Sequence, residues 1–177
     1  MKVQIAGVAQ ESVTDGPGVR SVIFFQGCPH ACPGCHNPQT WDPAGGREYD
    51  CETLLKTLVL TPLLSGVTLS GGEPFLQAEA AARIAKFVKS GGISSLRMNV
   101  WVYTGFVWEQ LLRDADKPGY RSLISLADAI VDGPYRKDLR DLSLPYRGSS
   151  NQRILLPGLS LEQGRAVPWN PEKPITP

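Results

Sequence analysis

Residues 19–36 read Val19-Arg20-Ser21-Val22-Ile23-Phe24-Phe25-Gln26-Gly27-Cys28-Pro29-His30-Ala31-Cys32-Pro33-Gly34-Cys35-His36. The first seven are a nearly continuous apolar and β-branched run, the pattern of a strand buried on both faces. Directly behind it come three cysteines in C-x3-C-x2-C order, in a loop turned by Gly27, Pro29, Pro33 and Gly34. A loop this short buries little apolar surface of its own, but it can point three thiolates at one centre. The fourth cysteine, Cys51, stands apart. A secreted disulfide scaffold spreads its cysteines along the chain, so this clustering argues for a metal site. Thiolate softness favours zinc or iron–sulfur. Zinc needs four ligands, and His30, His36 or Cys51 is nominally on offer, although no second C-x2-C or H-x3-H pair exists. A cubane held by three cysteines keeps one iron free of protein ligands. The spacing leaves both metals open.

Around this stretch, hydrophobic periodicity predicts strands at Val3–Val8, Val67–Leu69, Asn99–Tyr103, Ala127–Val131 and Arg153–Leu156. Helices are predicted at Cys51–Leu60, with Asp50 as N-cap and Leu54, Leu55 and Leu58 on one face, and at Leu76–Lys89, with Ile84, Phe87 and Val88 as its stripe and Gly91-Gly92 as its stop. A third helix is predicted from Val107 to Arg113. Strands separated by helices imply βαβ units, an α/β fold with a mainly parallel sheet and flanking helices. The chain of 177 residues is too short for a full eight-unit barrel, which typically takes about 250, so a partial (β/α) barrel or an open α/β sheet is expected. Prolines 157, 168, 171, 174 and 177 make the stretch from Leu156 to Pro177 read as an extended tail, giving a main domain at 1–156 and a tail at 157–177. The turns at Cys28–Cys35, Gly71-Gly72-Glu73-Pro74, Thr104-Gly105 and Asp132-Gly133-Pro134 each follow a predicted strand, so all four are expected at one end of the sheet, where ligands of parallel α/β folds sit.

Composition narrows the function classes. With 42% apolar and 20% charged residues the chain can pack a core, which excludes a disordered polyelectrolyte. A net charge of +1 leaves no bulk electrostatic case for nucleic acid or an anionic membrane surface. No stretch approaches the roughly 18 apolar residues of a spanning helix. The longest lightly charged run, Thr57 to Gly72, is broken by Thr61, Pro62, Ser65 and Gly66. Met1 to Val8 lacks a basic region followed by a long apolar core, so a cytoplasmic protein is expected.

Three cysteines after the first core strand and Gly71-Gly72-Glu73-Pro74 after the second resemble the radical S-adenosylmethionine (SAM) enzymes. Asp15-Gly16-Pro17-Gly18-Val19-Arg20 is similar to the signature of the glycyl-radical-enzyme activases within them. Cys32-Pro33-Gly34-Cys35-His36-Asn37-Pro38, Trp101–Phe106, Val131–Tyr135 and Arg147-Gly148-Ser149-Ser150-Asn151-Gln152-Arg153 resemble the subgroup that activates anaerobic (class III) ribonucleotide reductases. Gly34 stands where many superfamily members carry an aromatic residue, a departure that the reductase-activating subgroup shares.

The resemblance implies a partial barrel of radical SAM type and a 4Fe–4S cluster on Cys28, Cys32 and Cys35. SAM on the open iron would be cleaved reductively to a 5′-deoxyadenosyl radical, which takes a hydrogen from a glycine of the partner. It further implies that Gly34 and His36 flank the adenine, and that Gly71, Gly72 and Glu73 meet the methionyl amino group. Thr104 and Asp132 would contact SAM or a nearby cation, and Arg20, Arg147 and Arg153 the partner's glycyl loop or the SAM carboxylate. The implied partners are anaerobic ribonucleotide reductase and an electron donor such as flavodoxin or ferredoxin. His30 is expected as loop filler, Asp15 as a turn residue and Cys51 as a packed thiol. The competing readings are an activase of a pyruvate formate-lyase-type enzyme and a non-enzymatic zinc-binding interaction module.

Overall fold

A computed structural model describes residues 1–58, 63–91, 98–173 and 175. Seven strands form one open sheet: β1 (Lys2–Ser12), β2 (Val19–Phe25), β3 (Arg47–Asp50), β4 (Leu64–Gly71), β5 (Asn99–Tyr103), β6 (Ala129–Asp132) and β7 (Arg153–Leu155), in the spatial order β3-β1-β2-β4-β5-β6-β7. The helices are α1 (Cys51–Thr57), α2 (Ala78–Lys89), α3 (Trp108–Arg113), α4 (Tyr120–Leu126) and α5 (Pro157–Gln163).

The four central strands β2, β4, β5 and β6 run parallel, whereas β1, β3 and β7 pair antiparallel. What the connections contain explains the split. Parallel neighbours need a crossover of a dozen or more residues, commonly a helix. Residues 13–18 between β1 and β2 are too few for one. Between β6 and β7 the chain has only a 3-10 turn at Lys137–Leu139 and doubles back over the end of the sheet. The expectation of a mainly parallel sheet therefore holds for the centre and not for the margins. The strands do not close into a barrel.

Helices cover one face. Cys51, Leu54 and Leu55 of α1, with Leu58 as C-cap, are buried beside Ile84, Ala85 and Val88 of α2 and Val67, Leu69, Val100 and Val102 of the sheet. Asp50 caps α1 as expected, accepting from the Glu52 amide. That helix ends at Thr57; Val59 and Leu60, placed in it by the periodicity, lie outside the described residues, as does Gly92. The alanines at 78, 80, 81, 82 and 85 are the buried face of α2, small enough to bring the helix close to its neighbours. The predicted start at Leu76 is replaced by a 3-10 turn, Pro74–Gln77, leading into α2.

The opposite face carries a second, smaller core of Trp101, Ala129, Val131 and Ile154. Trp169 and Ile175 from the proline-rich segment pack against it, Trp169 edge-on to Trp101 at 5.5 Å between ring centroids. The segment is thus not simply extended. Pro157 suits the first turn of α5, and Gly164 ends it in the left-handed conformation. Pro174 and Pro177 lie outside the described residues. No helix among those residues is long and apolar enough to cross a membrane.

Candidate functional site

The carboxyl ends of β2, β4, β5 and β6 surround a cavity of about 210 Å³. Its wall takes Cys28, Cys32 and Cys35 from the loop after β2, Gly71 and Gly72 after β4, Thr104 and Gly105 after β5, and Gly133 and Tyr135 after β6. The four turns singled out in the sequence do meet at one end of the sheet.

The cysteine loop is held by backbone bonds. The Gly27 and Cys28 amides donate to the carbonyls of Thr40 and Trp41 at 2.8 and 3.1 Å, and the Cys35 amide donates to the Cys32 carbonyl at 3.0 Å. The three thiols are half-buried. Burial pushes the Cys28 and Cys32 thiols up, opposed at Cys28 by the His30 amide and at Cys32 by the Tyr135 amide. His36 also lines the cavity, its ring 5.9 Å from that of Tyr135.

Gly71 and Gly72 are glycines for steric reasons. A Cβ on Gly71, whose φ is +92°, would lie 2.6 Å from the Phe24 Cα, and one on Gly72 would lie 2.3 Å from the Gly27 carbonyl oxygen. The turn is pressed against the end of β2, and the Gly72 and Glu73 amides donate to the Phe25 and Gly27 carbonyls, each at 2.8 Å.

Glu73 is set back from the wall of the cavity. It is completely buried behind the cavity, and its carboxylate is saturated. The Phe75 amide donates to Oε1 at 3.0 Å, the Gly105 amide to Oε2 at 2.9 Å, the Thr104 hydroxyl to both oxygens at 2.9 and 3.0 Å, and His30 Nε2 to Oε2 at 2.8 Å. These four donor groups, the single Thr104 proton shared between the two oxygens, match the roughly four acceptor sites of a carboxylate. Thr104 remains on the wall, its hydroxyl also accepting from the Phe106 amide.

Other sequence candidates lie away from the wall. Gly34 sits under Lys137 and Tyr135. Asp132 is buried, accepting from Arg153 and from the Trp108 amide at 2.7 Å. Arg20 lies inside the sheet, not on a surface that a partner would meet. It donates through Nε to Thr68 at 2.7 Å, through Nη1 to Asn99 Oδ1 at 2.7 Å and through Nη2 to the Val67 carbonyl at 3.0 Å. Burial brings its guanidinium down to about 10. Arg147 is half-buried, donating to the Gln152 carbonyl at 3.0 Å while its Nε has no acceptor. Sequence reasoning passed over Asp15, Tyr135 and Gln152 as wall residues. All three belong to stretches already quoted for the resemblance, but no spacing rule singles them out.

The donor set discriminates between metals. Cys51 is fully buried in the main core, so four cysteines do not converge. Among the described residues no three or more His, Cys, Asp and Glu side chains gather around a point fit for one ion. Three soft thiols spaced around an open cavity fit a cluster of several irons better than a single tetrahedral zinc.

Residues 14–155 match the family described as a 4Fe-4S single cluster domain. The chain is 33% identical over 146 residues to the anaerobic ribonucleoside-triphosphate reductase-activating protein of Escherichia coli (strain K12), covering 80% of this chain and 91% of that one. The protein of the same description from Enterobacteria phage T4 is 31% identical over 144 residues, 79% of this chain and 85% of that one. The pyruvate formate-lyase-activating enzyme of Clostridium pasteurianum is 41% identical over 118 residues, which are 64% of this chain and 49% of that one. With the three-cysteine loop at the strand ends and these likenesses over most of its length, the chain belongs to the family of anaerobic ribonucleoside-triphosphate reductase-activating proteins, the 4Fe–4S activating enzymes.

Proposed function

We propose that this chain is a radical SAM activase that uses a 4Fe–4S cluster on Cys28, Cys32 and Cys35, together with SAM, to raise a glycyl radical on an anaerobic ribonucleotide reductase. When bound, the reduced cluster supplies the electron that cleaves the sulfonium of SAM to a 5′-deoxyadenosyl radical, the hydrogen-abstracting species. The observation that carries the reading is the donor count: three thiols open on the cavity while the fourth lies in the core.

The chain's own residues bind and orient. The amides of Gly72 and Glu73 are spent on β2, and the Glu73 carboxylate has its four donor groups, so the turn offers a methionyl ammonium its carbonyl oxygens. Thr104 and His36 border the same space, and Tyr135 narrows it against water. Gly34 acts through the course of the loop, and Asp132 through β6 and α3, without touching the ligand. Of the three arginines, Arg147 is retained for the partner's glycyl loop, since Arg20 is committed inside the fold and Arg153, half-buried, is engaged by Asp132 and Glu109. Residues 1–156 constitute the radical SAM domain as a partial barrel, with 157–177 as an extension, in a cytoplasmic protein served by flavodoxin or ferredoxin.

The reductase is favoured over a pyruvate formate-lyase-type partner by coverage. The match spans 91% of the reductase-activating relative but 49% of the lyase-activating one. The test is anaerobic reconstitution with iron and sulfide, then reductant and SAM, with 5′-deoxyadenosine measured by chromatography and the glycyl signal by electron paramagnetic resonance on each candidate partner. Cys28→Ala, Cys32→Ala and Cys35→Ala should each abolish cluster absorbance and SAM cleavage. Full cleavage by any one of them, or one equivalent of zinc with no brown chromophore, overturns the reading.

A further inference from the structure

His30 stands between the first two cysteines of the loop, and its side chain turns inward, 16% exposed. Nε2 donates to Glu73 Oε2 at 2.8 Å, and the ring meets Phe106 edge-on at 4.6 Å between centroids. A completely buried carboxylate is costly unless donors surround it. The fold provides Phe75 and Gly105 amides and the Thr104 hydroxyl, all from the turns after β4 and β5. The remaining donor comes from the cysteine loop itself. Gly105 makes the approach possible, because a Cβ there would lie 2.3 Å from His30 Cδ2. Three turns that are far apart in sequence therefore share one carboxylate, and the cysteine loop cannot shift without stripping Glu73 of a donor.

We infer that His30 is a positioning residue, which through Glu73 locks the cysteine loop to the ends of β4 and β5 and so holds the spacing of the three thiols. The inference rests on reading Cys28, Cys32 and Cys35 as the cluster ligands, yet the lock itself belongs to the protein without metal. Gly105 is part of it as the missing side chain, and Glu73 is its hub.

The experiment measures alkylation of each cysteine by iodoacetamide in the metal-free, reduced protein, followed by mass spectrometry, with Cys51 as the internal reporter of global opening. His30→Ala should raise the rates at Cys28 and Cys32 several-fold while Cys51 stays as protected as in the parent, with the melting temperature lowered by the donor lost to Glu73, and His30→Gln, which keeps an N–H donor, should restore most of the protection and of the melting temperature. Gly105→Ala should act like His30→Ala without changing either partner of the hydrogen bond. In the reconstituted protein, iron release to a chelator should be about 10- to 100-fold faster for His30→Ala, the usual scale for groups that orient metal ligands. Should Gly105→Ala lower the melting temperature, the pair His30→Ala and His30→Gln decides. Parental alkylation and iron-release rates in His30→Ala overturn the lock while leaving the cysteine assignment standing. A parent protein that takes up no cluster overturns the proposed function, and the metal-free alkylation rates still judge the lock.

Discussion

Arg153 on β7 closes over Asp132 on β6, with Nε donating to Oδ1 at 3.0 Å and Nη2 to Oδ2 at 2.5 Å. The same carboxylate accepts from the Trp108 amide at the start of α3, so one buried side chain ties an edge strand, a central strand and a helix together. These contacts give Asp132 a structural role.

Asp132→Asn should therefore lower stability by about 1–3 kcal/mol, the cost of weakening the hydrogen bonds to a buried carboxylate whose arginine partner is only half-buried, read as the shift in a urea unfolding midpoint. Arg153→Lys should not substitute fully, because an ammonium cannot reproduce the two-pronged contact. A midpoint unchanged in Asp132→Asn would return that residue to the ligand site.

Arg153 also reaches Glu109, donating to its Oε2 at 3.0 Å, and this hydrogen bond holds the Glu109 carboxyl below its ordinary value of 4.5. A carboxyl depressed in the folded state adds stability above its unfolded pKa and loses it as pH falls through the folded one. The stability difference between the parent and Glu109→Gln should be present at pH 7 and shrink to nothing as the pH is taken well below 4.5. Because Glu109 is well exposed the difference should be small and screened by salt, and a difference that grows on acidification would contradict the sign.

Cys51 is enclosed by the main core, remote from the chemistry assigned to the other three cysteines. Cys51→Ser should leave iron and sulfide content unchanged while lowering the melting point, because the buried hydroxyl costs roughly 1–3 kcal/mol unless it finds a hydrogen-bond partner. Loss of half or more of the iron in this variant would revive a four-thiolate site.

Arg20→Met keeps much of the volume and removes the guanidinium that serves Thr68, Asn99 and the Val67 carbonyl. Leaving those groups without a donor should cost at least about 3 kcal/mol, measured by thermal or chemical denaturation. A variant of parental stability that has lost affinity for the reductase would restore Arg20 to the partner surface.

The extent of β2 and β5, the N-cap of α1 and the gathering of four turns at one end of the sheet were legible because each depends on neighbours within a few residues. Apolar runs, a capping Asp50 and Gly-Pro punctuation carry that information locally. The antiparallel pairing of β1 with β2 was less legible but followed from connection length, since residues 13–18 cannot carry a crossover. The helix Pro157–Gln163 was hidden by the prolines around it, although Pro157 falls where a helix tolerates one.

By itself the sequence determined most of the strands and the turns behind them, the three clustered thiols and the family they belong to, all consequences of short-range pattern, while the strand Arg47–Asp50 and the helix Tyr120–Leu126 were not legible in it. Tertiary structure alone decided what the polar side chains do. Arg20 meets Asn99 across 79 residues and His30 meets Glu73 across 43, distances over which no periodicity runs. A buried charge must find its partners wherever folding brings them, so its role is set by the packed sheet and not by the residues beside it in the chain.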